Sequence, residues 1–129
     1  MADGGPTVLL VDDDDLVREI ASEALSQMGY QVIEASGGDA ALRVLAGRPE
    51  IRLLFTDVIM PGMDGFVLAH EAKRLHPNLR VIYTSGYLKN VPWGQHGIGY
   101  GPMVEKPWNL EHLRTVVRRA FDEPEPQAC

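Results

Sequence analysis

The chain has 129 residues, 45% of them apolar, which suits one domain around one hydrophobic core. Twelve Lys and Arg against eighteen Asp and Glu give a formal charge of −6, and the basic residues form only short pairs such as Lys73-Arg74 and Arg118-Arg119. Neither nucleic acid nor an anionic membrane surface is therefore an expected partner. Met1 to Pro6 is short, acidic and glycine-rich, unlike a secretion signal, and is expected to be flexible. No apolar run approaches the roughly 20 residues that cross a bilayer. The single cysteine, Cys129, lies in a Pro/Glu/Gln tail and has no internal disulfide partner. A soluble, cytoplasmic protein is the consistent reading.

Thr7 to Val11 (TVLLV) is a continuous β-rich run, the pattern of a strand buried on both faces of a parallel sheet. From Asp15 to Met28, Leu16, Val17, Ile20, Ala21, Ala24, Leu25 and Met28 recur at helical spacing, with Gly29 as the stop. Gln31 to Ala35 reads as a second strand. Ser36 to Gly47 reads as a helix with Ala41, Leu42 and Leu45 inward. Ile51 to Thr56 is a third, buried strand. Asp64 is a plausible cap for a helix carrying Phe66, Ala69, Ala72 and Leu75 inward until Pro77 forbids continuation. Leu79 to Thr84 is the fourth strand and Met103 to Glu105 a short fifth one. Asn109 caps a last helix carrying Leu110, Leu113, Val116, Val117, Ala120 and Phe121. Five glycines and two prolines between Gly86 and Pro102 make that stretch mostly loop, with at most a turn or two of helix. The tail from about Asp122 is expected to be disordered. Strands alternating with helices of this length imply a doubly wound α/β domain with a five-stranded parallel sheet over residues 7–121.

In such a sheet, ligands bind beyond the carboxyl ends of the strands. The first strand ends in Asp12 and Asp13, the third in Asp57, the fourth in Thr84 and Ser85, and the fifth in Lys106. All should gather at one rim. Three neighbouring carboxylates disfavour one another's charged forms, so positive charge must join them. Oxygen-only ligands suit Mg²⁺ (or Mn²⁺) better than a softer metal, and His70, His76, His96 and His112 show no metal-ligand spacing. Asp14 and Asp15 read as charges at the start of the first helix. The glycine-rich GIGYG lacks the following helix a phosphate cradle needs.

Four segments in order, VLLVDDDDLVRE, FTDVIMPGMDG, VIYTSGY and VEKPW, resemble the successive signatures of bacterial two-component response-regulator receiver domains from Thr7 to about Phe121. The resemblance implies a flavodoxin-like strand order 2-1-3-4-5, with Asp57 as phosphoacceptor. It implies that Asp13, Asp57 and the backbone carbonyl of Ile59 hold Mg²⁺, with Asp12 helping through water. Ser85 matches the switch hydroxyl, and Lys106 the lysine that pairs first with Asp57 and then with its phosphoryl group. Pro61 and Gly65 match the turn leaving the third strand. The phosphoryl donor would be a sensor histidine kinase or histidine phosphotransfer protein, and the altered surface would bind a downstream protein.

Two departures accompany the match. The fourth helix is expected to be short or absent. Met103 stands where the family commonly has a switch aromatic, and a thioether side chain lacks a ring's two defined positions. Ile59 and Tyr87 are bulky at the positions that tune water access, which predicts slow self-dephosphorylation. No output domain follows Phe121, so action through protein contacts is expected, by the domain alone or as part of a hybrid kinase. A phosphohydrolase would need a second carboxylate at position 59, which is Ile59, and Ser85 lacks the preceding glycine of a nucleophile elbow. A receiver-like interaction domain that is never phosphorylated is the remaining alternative.

Overall fold

The computed structural model of the chain describes residues 5–86 and 100–122. Strand β1, Thr7–Val11, is buried at every position, as its unbroken apolar run requires of a strand covered on both faces. Gly5 and Pro6 already belong to the fold: the Gly5 amide donates to the Gly29 carbonyl at 3.0 Å, and the Pro6 carbonyl accepts the Gln31 amide at 3.1 Å.

Helix α1, Asp15–Gln27, starts on Asp14, whose carboxylate accepts the amides of Leu16 and Val17. This satisfies donors that the first turn leaves open. Gly29 ends it with φ of 102°, a left-handed conformation that favours glycine. Ala21 and Leu25 are buried, but Leu16 and Ile20 are 65% and 53% exposed. Seven apolar positions span a wider arc than the face touching the sheet, so two of them reach solvent.

Strand β2, Gln31–Ala35, is an edge strand. Helix α2, Gly38–Gly47, begins two residues after the expected Ser36 because Gly37 is still extended. Strand β3, Ile51–Asp57, runs one residue further than expected and carries Asp57 as its last member. Helix α3, Gly65–Leu75, is capped by the Asp64 carboxylate, which accepts the Val67 amide at 2.9 Å. Phe66, Leu68, Ala69 and Ala72 are buried, whereas Leu75, expected inward, is 48% exposed on the last turn. Strand β4 is Arg80–Ser85 and strand β5 is Met103–Glu105. Helix α4, Leu110–Asp122, follows Asn109, whose side chain accepts the His112 amide at 3.0 Å, and it takes in Asp122.

All strand pairs are parallel, in the order β2-β1-β3-β4-β5. One core, including Leu54, Phe66, Leu68 and Tyr83, lies between the sheet and α2 and α3. The other, including Phe55, Ile82, Leu113 and Val117, lies between the sheet and α1 and α4. This is the expected doubly wound α/β architecture, with four helices among the described residues. Residues 87–99 of the stretch expected to be mostly loop, Tyr87 and His96 among them, and the tail beyond Asp122 lie outside the described residues.

Gly65 shows how tightly the turn after β3 is built. A Cβ there would overlap the Asp57 carbonyl oxygen and lie 2.9 Å from the Val58 Cα, both backbone atoms. Its amide also donates to the Val58 carbonyl at 2.8 Å. Gly65→Ala is expected to destabilise the chain by about 2 kcal/mol, because backbone overlap outweighs the roughly 1 kcal/mol helix-propensity advantage of alanine. Urea unfolding checks this; a variant as stable as the wild type would contradict it.

Candidate functional site at the carboxyl rim of the sheet

Because every strand is parallel, the carboxyl ends of β1, β3, β4 and β5 share one rim. Val11 pairs with Thr56, Asp57 with Thr84, and Ser85 with Glu105. The residue following each apolar run is thus delivered to the same place.

Carboxylate oxygens of Asp12, Asp13 and Asp57 lie within 4.8 Å of one another. Asp12 and Asp57 are buried, at 2% and 7% exposure, while Asp13 opens to solvent. Lys106 reaches in from beyond β5: its ammonium is 2.9 Å from Asp12 Oδ2 and 3.4 Å from Asp57 Oδ2. The resemblance implied that Lys106 pairs with Asp57, yet here it bridges two carboxylates and stands nearer Asp12. The second Asp12 oxygen accepts the Asp14 amide at 2.9 Å, so this carboxylate is oriented from both sides.

The electrostatics follow from this packing. Burial, above all, pushes the Asp57 carboxyl up to about 6; Lys106 opposes the rise and the charges of Asp12 and Asp13 add to it. Burial alone would lower the Lys106 pKa, but the hydrogen bond to Asp12 and the charges of Asp57 and Asp12 more than offset it, leaving the ammonium above its ordinary value. The pocket holds more negative charge than one ammonium balances. Three carboxylates with no nitrogen or sulfur donor among them form the donor set of a hard cation, and Mg²⁺ fits it.

Ser85 is buried at the end of β4, and its carbonyl accepts the Lys106 amide at 2.8 Å, tying the end of that strand to the lysine turn. Ile59, two residues past Asp57, is 48% exposed. Met103 is half-buried, pairs with Tyr83, and packs against the core shared with α2 and α3. His70 and His76 stand apart from the acidic cluster: His70 Nδ1 is 2.9 Å from the Tyr100 hydroxyl, and His76 Nε2 is 2.7 Å from the Leu45 carbonyl.

Two supporting contacts were not legible beforehand. Arg18 donates to the Asp12 carbonyl at 2.7 Å while pairing with Asp15 at 2.7 Å and Glu34 at 3.2 Å, so one guanidinium clamps the loop that presents Asp12. Trp108 donates its indole N–H to the Thr84 hydroxyl at 2.9 Å. The spacing of Arg18, one turn into an amphipathic helix, hints only at its facing the strand ends.

Comparison with known proteins identifies the family. Residues 8–118 match the response regulator receiver domain family model. The sensor kinase CckA of Brucella abortus is 38% identical over 128 residues, which is 93% of this chain but 13% of that protein. The crystal structure of the receiver domain of the hybrid histidine kinase CckA superposes with a TM-score of 0.76 at 32% identity, covering 90% of this chain and 99% of that one. The response regulator TrrA of Thermotoga maritima, solved in complex with Mg²⁺-BeF, superposes with a TM-score of 0.80 at 26% identity over 90% of this chain and 99% of that one. With its acidic cluster and lysine gathered at the carboxyl rim of a 2-1-3-4-5 parallel sheet, the chain belongs to the response regulator receiver domain family.

Proposed function

We propose that the chain is a two-component phosphoacceptor in which Asp57 takes a phosphoryl group from a sensor histidine kinase or a histidine phosphotransfer protein. The observation that carries this is the placement of Asp57 within 4.8 Å of Asp12 and Asp13 and 3.4 Å from the Lys106 ammonium. Asp12, Asp13, Asp57 and the backbone carbonyl of Ile59 would hold Mg²⁺; Mn²⁺ shares its preference for oxygen. When bound, the cation neutralises charge on the transferring oxygens.

The chain's own residues do the rest. An Asp57 carboxylate oxygen forms the new bond to phosphorus as the bond to the donor nitrogen breaks, and the imidazole leaves with that electron pair. Ionised Asp57 needs no general base, since phosphoryl transfer depends mainly on positioning and electrostatics. Lys106 then follows the negative charge from carboxylate to phosphoryl oxygen, and the Ser85 hydroxyl donates to another of those oxygens. Hydrogen bonds to charged groups contribute about 1.5 to 3 kcal/mol each. Two together thus approach the roughly 5.5 kcal/mol that drives an equilibrium from 1:99 to 99:1. The output is a changed protein-binding surface for a downstream partner in the cytoplasm, without direct contact to nucleic acid or membrane and without turnover of a small substrate. Among the described residues no helix is long and apolar enough to cross a membrane.

Acetyl phosphate with Mg²⁺ tests the reading by intact-protein mass spectrometry. One phosphoryl group should be gained and retained for minutes or longer, because the bulk of Ile59 and Tyr87 hinders water. Steady hydrolysis would favour an enzyme, no gain an inert interaction domain, and loss within seconds would contradict the assigned tuning residues.

A further inference from the structure

Thr84 is the β4 residue that pairs in register with Asp57, and its carbonyl accepts the Val58 amide at 3.0 Å. Its hydroxyl belongs to a residue 1% exposed and takes the indole N–H of Trp108 at 2.9 Å. The indole is fixed on two further sides: Phe55 meets it at 6.0 Å between centroids with the planes 65° apart, and the Lys106 ammonium lies 6.0 Å from its ring centre. Two residues upstream, the Lys106 amide is bound to the Ser85 carbonyl at 2.8 Å. The turn from Lys106 to Trp108 is therefore fastened to consecutive residues of β4, at Ser85 by backbone and at Thr84 by side chain.

A lysine carries a point charge on a flexible four-carbon stem, so its side chain does not set its own position. The ammonium nevertheless sits between Asp12 and Asp57, contacting both. What limits its reach is the turn that carries it, and the bond from Trp108 to Thr84 holds that turn to β4 through a side chain. We propose that Trp108 is a positioning residue for phosphoryl transfer. Acting through Lys106, it sets where the ammonium meets the transferring oxygens and links that position to the strand that ends in Ser85. The proposal rests on the phosphoacceptor reading above and names a further residue of the same site.

The test compares Trp108→Phe, which keeps a ring and removes the N–H, with Thr84→Val, which keeps the shape and removes the acceptor. Melting curves establish that each variant is folded at the assay temperature. Each is expected to slow phosphorylation by acetyl phosphate and Mg²⁺ about fivefold, the rate equivalent of one neutral hydrogen bond. The double variant should be no slower than either single one, because both remove the same bond. In a Trp93→Phe background, the indole ¹⁵N–¹H correlation of Trp108 should move when beryllofluoride and Mg²⁺ occupy the site, and move less in Lys106→Met. Rates within twofold of wild type, additive effects, or an indole correlation unmoved by beryllofluoride would overturn the proposal while leaving the phosphoacceptor reading intact. A wild-type chain that gains no phosphoryl group would sink both.

Discussion

A chain carrying Asp57→Asn should take up no phosphoryl group and yet melt higher than the wild type in EDTA. The first result follows from loss of the nucleophilic carboxylate, and the second from the burial of the Asp57 carboxyl beside two other acids, which raises its pKa to about 6. A carboxyl in the unfolded chain titrates near 4. The folded state therefore holds the Asp57 proton more tightly, and ionising this group opposes folding. That cost is absent below about pH 4, grows between pH 4 and 6, and is fully present above about pH 6, as linkage requires. Allowing for solvent screening at the pocket mouth, its removal is worth about 1 kcal/mol, or an increase of about 3 to 6 °C in melting temperature.

Asn keeps the shape and cannot ionise, so the variant should also lose this part of the pH dependence between pH 4 and 7. Mg²⁺ should narrow the gap, since a ligand bound only by the folded state stabilises it by about 2.7 kcal/mol at a hundred times its dissociation constant. The wild type retains all three carboxylates and should gain more than the variant. Thermal melts of both proteins across pH, with EDTA and with Mg²⁺, check the prediction. An Asp57→Asn variant less stable than wild type in EDTA at pH 7 would show that the carboxylate is compensated after all.

The positions of Asp12, Asp57, Ser85 and Lys106 were legible in the sequence because each directly follows or closes an apolar strand run, and parallel pairing sends such residues to one rim. The caps at Asp64 and Asn109 were legible for a similar reason: a short polar side chain precedes a helical apolar pattern. Partners chosen by side-chain direction across distant segments were not. Arg18 reaches Glu34, and Trp108 reaches Thr84, only once the register of β1 with β2 and of β4 with β5 is set. Periodicity also overstated burial, since it finds an apolar arc without saying how much of it the sheet covers. Leu16, Ile20 and Leu75 are the result. The nearer approach of Lys106 to Asp12 than to Asp57 likewise depends on the Asp12 carboxylate being turned by the Asp14 amide, a loop detail beyond any pattern.

Lys106→Met should move stability in the direction opposite to Asp57→Asn. Methionine retains an unbranched apolar side chain of similar length, so what changes is mainly the charge. Asp12 and Asp57, at 2% and 7% exposure, would then face each other and Asp13 with no cation between them. Breaking a fully buried ion pair costs about 3 to 5 kcal/mol. The lysine is 18% exposed, so part of the loss is met by water, and about 2 kcal/mol is expected in EDTA. Adding Asp57→Asn to Lys106→Met should restore much of that loss, because the second change removes one of the stranded charges; non-additivity of this kind marks residues in one network. Phosphorylation by acetyl phosphate should fall by about 100-fold in Lys106→Met, the scale of losing one charge-stabilising donor at a reacting centre. Mg²⁺ should raise its melting temperature more than that of the wild type, because the cation meets carboxylates no longer shared with an ammonium. Denaturant unfolding of the two single variants and the double variant separates these terms. A Lys106→Met chain as stable as wild type in EDTA would mean that the ammonium compensates neither acid, and the charge balance assigned to the pocket would be wrong.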